Sequence, residues 1–156
     1  MLQVRHLSKS YTSGSLVYPV LKDVSLRVEK GEFVAVMGPS GSGKTTLLNC
    51  ISCFIPHEQG SIVLADQDIS DLNETELARV RNRQMGFVFQ DFMLLDGLSV
   101  FENICLPQII ARRPVVQMEE KARNICRLFG IEKIMEKYPV EISGGEKQRT
   151  AVARAL

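Results

Sequence analysis

Histidine and cysteine are scarce in this sequence, its charge is almost balanced, and it has no long apolar run. The two histidines, His6 and His57, stand apart, so no metal site is expected from them. The four cysteines, Cys50, Cys53, Cys105 and Cys126, make no disulfide framework and fit a reducing compartment. Cys50 and Cys53 form a C-x-x-C, but the local pattern puts both inside one helix, a turn apart. Packing is expected there rather than redox or metal chemistry. Nineteen Lys and Arg against 18 Asp and Glu leave a net charge of +1, without the strongly basic face of a dedicated nucleic-acid binder. Arg79, Arg81 and Arg83, with Glu74 and Glu76 beside them, read as a solvated face. No uncharged apolar run approaches the roughly 20 residues that cross a bilayer, and Arg5 and Lys9 interrupt any signal-peptide core. A cytoplasmic location is expected. No internal repeat or low-complexity tract is present.

The 156 residues, 45% hydrophobic and 24% charged, suit one globular domain with a real core. The richest stretch runs from Glu32 to Leu48. Phe33 to Met37 is a continuous apolar run of the kind found in a parallel strand covered on both faces. Gly38-Pro39-Ser40-Gly41-Ser42-Gly43-Lys44-Thr45-Thr46 follows, with the G-x-x-x-x-G-K-T spacing of a Walker A phosphate loop. Its glycines let the backbone turn tightly and close on an anion. Amides at the start of the following helix converge on phosphate with help from the helix dipole. Lys44 supplies a mobile positive charge, and Thr45 offers a hydroxyl to a magnesium ion bridging the outer phosphates.

Elsewhere, Leu2 to Leu7 predicts a half-exposed strand, followed by a Ser/Gly-containing connection from Ser8 to Ser15. Val24 to Val28 alternates cleanly, and Ser61 to Ala65 alternates after Gly60. This points to an antiparallel sheet beside a parallel core. The phosphate-loop helix is expected to end near Pro56. Asn73 and Glu76 have capping-box spacing ahead of a helix carrying Leu77 and Val80. Met85 to Phe89 reads as a second buried strand with Gln90 at its end. Gly97, Pro107 and Pro114 are expected to break any long helix between Asp91 and Pro114. Met118, Ala122, Ile125, Cys126 and Phe129 fall at helical spacing, closed by Gly130.

A second glycine-bearing helix start lies at Ile142-Ser143-Gly144-Gly145-Glu146-Lys147-Gln148-Arg149. Ser143 and Glu146 form an S-x-x-E capping box, and the two glycines leave a row of unobstructed amides at the positive end of a dipole. The run Ile-Ser-Gly-Gly-x-x-Gln-Arg resembles the signature motif of the ATP-binding cassette (ABC) ATPases, and the resemblance covers the whole chain in the right order. Ile142 for the usual Leu and Glu146 for the common Gln are mild departures.

The resemblance implies an α/β P-loop NTPase fold with a parallel core sheet, an antiparallel β subdomain and a helical subdomain at about residues 91–142, all within one nucleotide-binding domain over 1–156. It implies ATP and Mg2+ as ligands. Tyr11 would stack on adenine, and Gly38 to Thr46 would hold the phosphates. Thr45 and Gln90 would meet the metal, Gln90 also touching the attacking water. Ser143, Gly144, Gly145 and Glu146 would close on the γ-phosphate bound by a second copy. The implied partners are an integral membrane permease and a second cassette in a homodimer, on the inner face of the membrane. No nucleic acid is expected.

Val20 to Ser25, Gly38 to Ser52 and Arg81 to Pro107 look like the exporter-type cassettes of macrolide-export, lipoprotein-release and antimicrobial-peptide-resistance systems. Phe87-Val88-Phe89-Gln90-Asp91-Phe92 is closest to the bacitracin type. A lipoprotein-release or cell-division cassette, or a soluble ABC ATPase of DNA repair, is the alternative. About 50 residues between Gln90 and Ser143 leave room for a compact helical subdomain but not a long coiled-coil arm, which favours transport. Members of this family carry a Walker B aspartate and a catalytic glutamate beyond the signature helix. The sequence stops at Leu156, so it is expected to be a fragment that does not turn over ATP and that leaves apolar strand edges uncovered.

Overall fold

A computed structural model describes residues 1–156 as two compact units, Met1–Ala78 and Arg79–Leu156. In the first unit, β1 (Leu2–Ser13) and β2 (Leu16–Val28) form a long hairpin around Gly14-Ser15, with Ser13 opposite Leu16 and Leu2 opposite Val28. A two-residue turn led by a glycine at φ 61° suits the twist of such a ribbon. β3 (Gln59–Leu64) lies antiparallel on the other side of β1, and the short β4 (Gln67–Asp68) follows through Ala65-Asp66. The sheet order is β2-β1-β3-β4, antiparallel throughout. Val4, Leu7, Leu21, Ile62 and Ile69 are buried, together with Leu47 and Cys50 of α1 (Lys44–Ile51).

Tyr11 lies inside β1, opposite Tyr18, rather than in a connection. Cross-strand pairing extends the hairpin through the Ser/Gly stretch despite its composition, since a tight turn keeps the two strands in register. α1 ends at Ile51, and Cys53 has φ 59°, so Cys50 and Cys53 do not share a helix. The expected end near Pro56 is several residues too far.

Phe33 to Met37 and Met85 to Phe89 make no ladder and belong to no strand. Phe33 is 97% and Met37 88% exposed. A parallel strand exists only through its neighbours, and no described strand pairs with either segment.

α2 (Glu74–Gln84) spans the boundary between the units. At its start Glu76 N–H donates to Asn73 Oδ1 at 3.1 Å, and Asn73 N–H to Glu76 Oε2 at 3.0 Å, the reciprocal cap its spacing predicts. In the second unit α3 (Val100–Ile110) forms despite Pro107. Ser99 and Glu102 cap it, and the Val100 and Phe101 amides donate to the carbonyls of Lys137 and Met135. Burial of Val100, Ile104 and Cys105 outweighs the one backbone hydrogen bond that Pro107 cannot donate. α4 (Val115–Leu128) packs Ala122, Ile125 and Cys126 into the same core. Gly130, at φ 63°, donates to Arg127 O and Ile131 to Cys126 O, closing α4 with a Schellman turn. α5 (Gly144–Arg154) completes this unit.

Candidate functional site

Gly43, at φ 89°, caps α1 from the left-handed region. A Cβ there would lie 3.1 Å from Val20 Cγ1 and 3.2 Å from Val20 O, so a bare backbone is what lets the helix start against β2. The result is a loop folded around the Lys44 ammonium. Lys44 Nζ donates to Pro39 O at 2.7 Å, to Gly38 O at 2.9 Å and to Ser42 Oγ at 3.4 Å. No backbone acceptor takes the amides of Lys44, Thr45 or Thr46, while Leu47 N–H already donates to Gly43 O. The contrast with α3 is informative, because there the first amides are occupied by carbonyls from elsewhere in the unit. α1 therefore presents three free amides, a helix dipole and an ammonium, the chemistry of an anion cradle. Thr45, the second residue of α1, is exposed.

Tyr11 is 45% exposed on the hairpin, with Lys9 Nζ 5.7 Å from its ring centroid. Gln90 stands in an exposed turn that continues through Phe92 and Met93, both at positive φ. Arg154, at the end of α5, donates to the carbonyls of both residues, to Phe92 O at 2.7 Å. Burial makes its guanidinium less basic than usual.

At the start of α5, Ser143 Oγ donates to Glu146 Oε2 at 2.7 Å, and Ser143 N–H donates to the same oxygen at 2.8 Å. Glu146 N–H returns a bond to Ser143 Oγ at 3.4 Å. The Ser143 hydroxyl, followed by its backbone amide, holds the Glu146 carboxyl below the usual glutamate range. Gly144 and Gly145 amides have no backbone acceptor. Both glycine-bearing helix starts therefore offer unobstructed N–H groups, α1 with a lysine beside them and α5 with a carboxylate.

Sequence reasoning missed three residues around these elements. Asn103, fully buried, accepts from Leu95 N–H at 2.8 Å and donates to the carbonyls of Leu95, Leu98 and Ser99, fixing the chain that follows Gln90. Arg154 holds the turn before it, and Lys9 covers Tyr11. The S-x-x-E spacing of Ser99 and Glu102 could have revealed α3, and with it Asn103. Nothing local marks Arg154 or Lys9.

A glycine-lined loop entering a helix with a lysine at its first position defines a phosphate-loop protein. The family model described as "ABC transporter" matches residues 21–156, and the chain belongs to that family. It is 48% identical over 156 residues to the ABC transporter ATP-binding protein YxdL of Bacillus subtilis, covering all of this chain and 60% of that protein. It is 46% identical over 156 residues to the bacitracin export ATP-binding protein BceA of Halalkalibacterium halodurans, covering all of this chain and 62% of that one. The chain thus spans about three fifths of the length of these relatives. A solved dimeric structure of the ATP-binding cassette MJ0796 of Methanocaldococcus jannaschii, bound to ADP and Pi, superposes with a TM-score of 0.89 at 36% identity. The match covers all of this chain and 69% of that one, so the fold is that of the ABC cassettes. No helix is long and apolar enough to cross a membrane.

Proposed function

We propose that this chain is the nucleotide-binding part of an ABC transporter ATPase that drives export or release of a substrate through a membrane permease. The observation carrying this reading is the Lys44 ammonium held by the Gly38 and Pro39 carbonyls beside three unoccupied helix amides. Gly38, Pro39, Ser40, Gly41, Ser42 and Gly43 wrap the phosphates of ATP, and Lys44 exchanges its carbonyl partners for phosphate oxygens. Thr45 and Thr46 supply amides, and the Thr45 hydroxyl would hold a phosphate-bound Mg2+, the ion to which the family resemblance also assigns Gln90. That ion neutralises charge on the outer phosphates. Tyr11 stacks on adenine. Ser143, Gly144, Gly145 and Glu146 approach the γ-phosphate bound by a second copy, so that two cassettes close over two nucleotides and neither site is complete alone.

Residues 91–142 form the helical subdomain through which closure reaches the permease, and the protein works in the cytoplasm on the inner face of the membrane. Similarity to a bacitracin export ATP-binding protein supports antimicrobial-peptide resistance as the setting. The experiment is ATP-dependent dimerisation of the complete protein, followed by light scattering after size exclusion. Lys44→Ala should abolish tight nucleotide binding. Ser143→Arg should keep binding by single subunits while blocking pairing, and pairing that survives Ser143→Arg would remove the signature helix from the site.

A further inference from the structure

Lys9 and Glu58 lie outside the phosphate-facing elements, yet between them they fix the Tyr11 ring. The Lys9 side chain is only 14% exposed, with Nζ 3.7 Å from Glu58 Oε1 and 5.7 Å from the Tyr11 ring centroid. Glu58 is fixed in turn. The same Oε1 accepts from Ser10 N–H at 3.0 Å, and Glu58 N–H donates to Ser8 O at 3.0 Å. Lys9 and Tyr11 are two residues apart on β1, and the approach of Nζ to the ring puts both side chains on one side despite the register shift between Lys9 and Ser10. A lysine on an exposed strand ordinarily keeps its ammonium in water. Here the ammonium is withdrawn over an aromatic ring and paired with a tethered carboxylate. Tyr11 itself stays 45% exposed, so its ring remains accessible to a ligand.

We propose that Lys9, held by Glu58, is a positioning residue that sets the Tyr11 ring for stacking on a purine base, and so favours base-bearing triphosphates over base-free ones. This rests on the reading of Tyr11 as the adenine-stacking residue. A positioned ring offers a fixed platform, whereas a ring free to rotate must be ordered when the base arrives, at a cost in affinity.

The test compares the Kd for Mg-ATP with that for Mg-tripolyphosphate, which has no base, by titration calorimetry on the complete protein. Lys9→Met should weaken ATP at least about two-fold, the low end for a cation–π contact, and leave tripolyphosphate unchanged. Glu58→Gln keeps an oxygen for the Ser10 amide while removing the charge facing Lys9. It should weaken ATP selectively without perturbing the strand, and Lys9→Arg should restore selectivity. Unchanged ATP affinity in Lys9→Met and Glu58→Gln, or equal losses toward both ligands, would overturn the proposal. If Tyr11→Ala lowers ATP affinity alone while those two variants do not, only the positioning role falls. If Tyr11→Ala leaves the ratio of the two affinities at its wild-type value, the stacking role and the positioning role fall together.

Discussion

Arg154 donates to the Phe92 carbonyl at 2.7 Å, and its other amino group donates to the Met93 carbonyl, so the end of α5 clamps the turn that follows Gln90. Phe92 and Met93 have φ of 59° and 48°, an unfavourable pair for residues with side chains. Two charge-assisted bonds offset that strain. Arg154→Ala should destabilise the second unit by about 1–3 kcal/mol by leaving the carbonyls unpaired. Hydrogen exchange should quicken at Asp91 to Leu95 before the rest of the unit responds. Arg154→Lys, a point donor in place of a fork, should recover part of the loss.

Asn103 secures the next stretch. Its carboxamide satisfies both the N–H and the C=O of Leu95, and it is completely buried. Asn103→Leu should cost about 2–4 kcal/mol, because it strands several buried main-chain groups at once. Urea denaturation read by circular dichroism measures this, and a cost under about 1 kcal/mol would mean that water replaces the side chain.

Burial pushes the Cys105 thiol up to about 11, with the neighbouring Cys126 contributing, and raises Cys126 as well. At pH 8 a thiol of that pKa is about one part in a thousand thiolate. Cys105 and Cys126 should therefore resist iodoacetamide in the folded protein, while the half-buried Cys53 is alkylated first. Peptide mapping after timed alkylation gives the order.

The parts of this fold legible in the sequence are those specified within a few residues. The Asn73/Glu76 and Ser143/Glu146 caps and the Gly130 stop all depend on main-chain groups one turn away, and their spacing predicts them. Tyr11 reads as part of a connection because its strand is extended only by pairing with Tyr18, a partner across the hairpin. α3 is hidden because Pro107 reads as a breaker, yet tertiary burial of Ile104 and Cys105 overrides it. The Lys44 loop is recognisable from spacing alone. That Phe33 to Met37 stands without partners follows only from the family resemblance, which places its neighbouring strands beyond the signature helix, since an apolar run by itself carries no sign of whether they are supplied.

Those uncovered residues have a consequence. Phe33 and Met37 are almost wholly exposed, and Val34, Val36 and Val88 are at least 41% exposed, on segments with unused ladder groups. The 156-residue polypeptide by itself should scatter light and self-associate at micromolar concentration. Replacing Phe33 and Met37 with lysine should reduce scattering without changing the helical signal of the second unit. A monomeric wild-type chain with a single cooperative transition would contradict this.

Glu146 places its carboxylate within hydrogen-bonding distance of the Ser143 hydroxyl, the group proposed to approach a γ-phosphate. Ser143 Oγ and Glu146 Oε2 are 2.7 Å apart, and the carboxyl is held below its ordinary range. The cap therefore adds stability fully above the unfolded glutamate pKa, about 4.3, and loses it as pH falls through the lower folded value. Near neutral pH the carboxylate is charged. That charge caps α5 well, and under the proposed closure it would oppose the partner's triphosphate. Glu146→Gln keeps an oxygen for the Ser143 amide, so the helix start survives with its charge removed. The variant should flatten the acid limb of the helical signal and lower the ATP concentration needed to pair two complete subunits. Removing the like charge should lower the ATP midpoint. The effect should shrink as salt rises. An unchanged midpoint at low salt, with the acid limb flattened as expected, would mean that Glu146 caps the helix without facing the nucleotide.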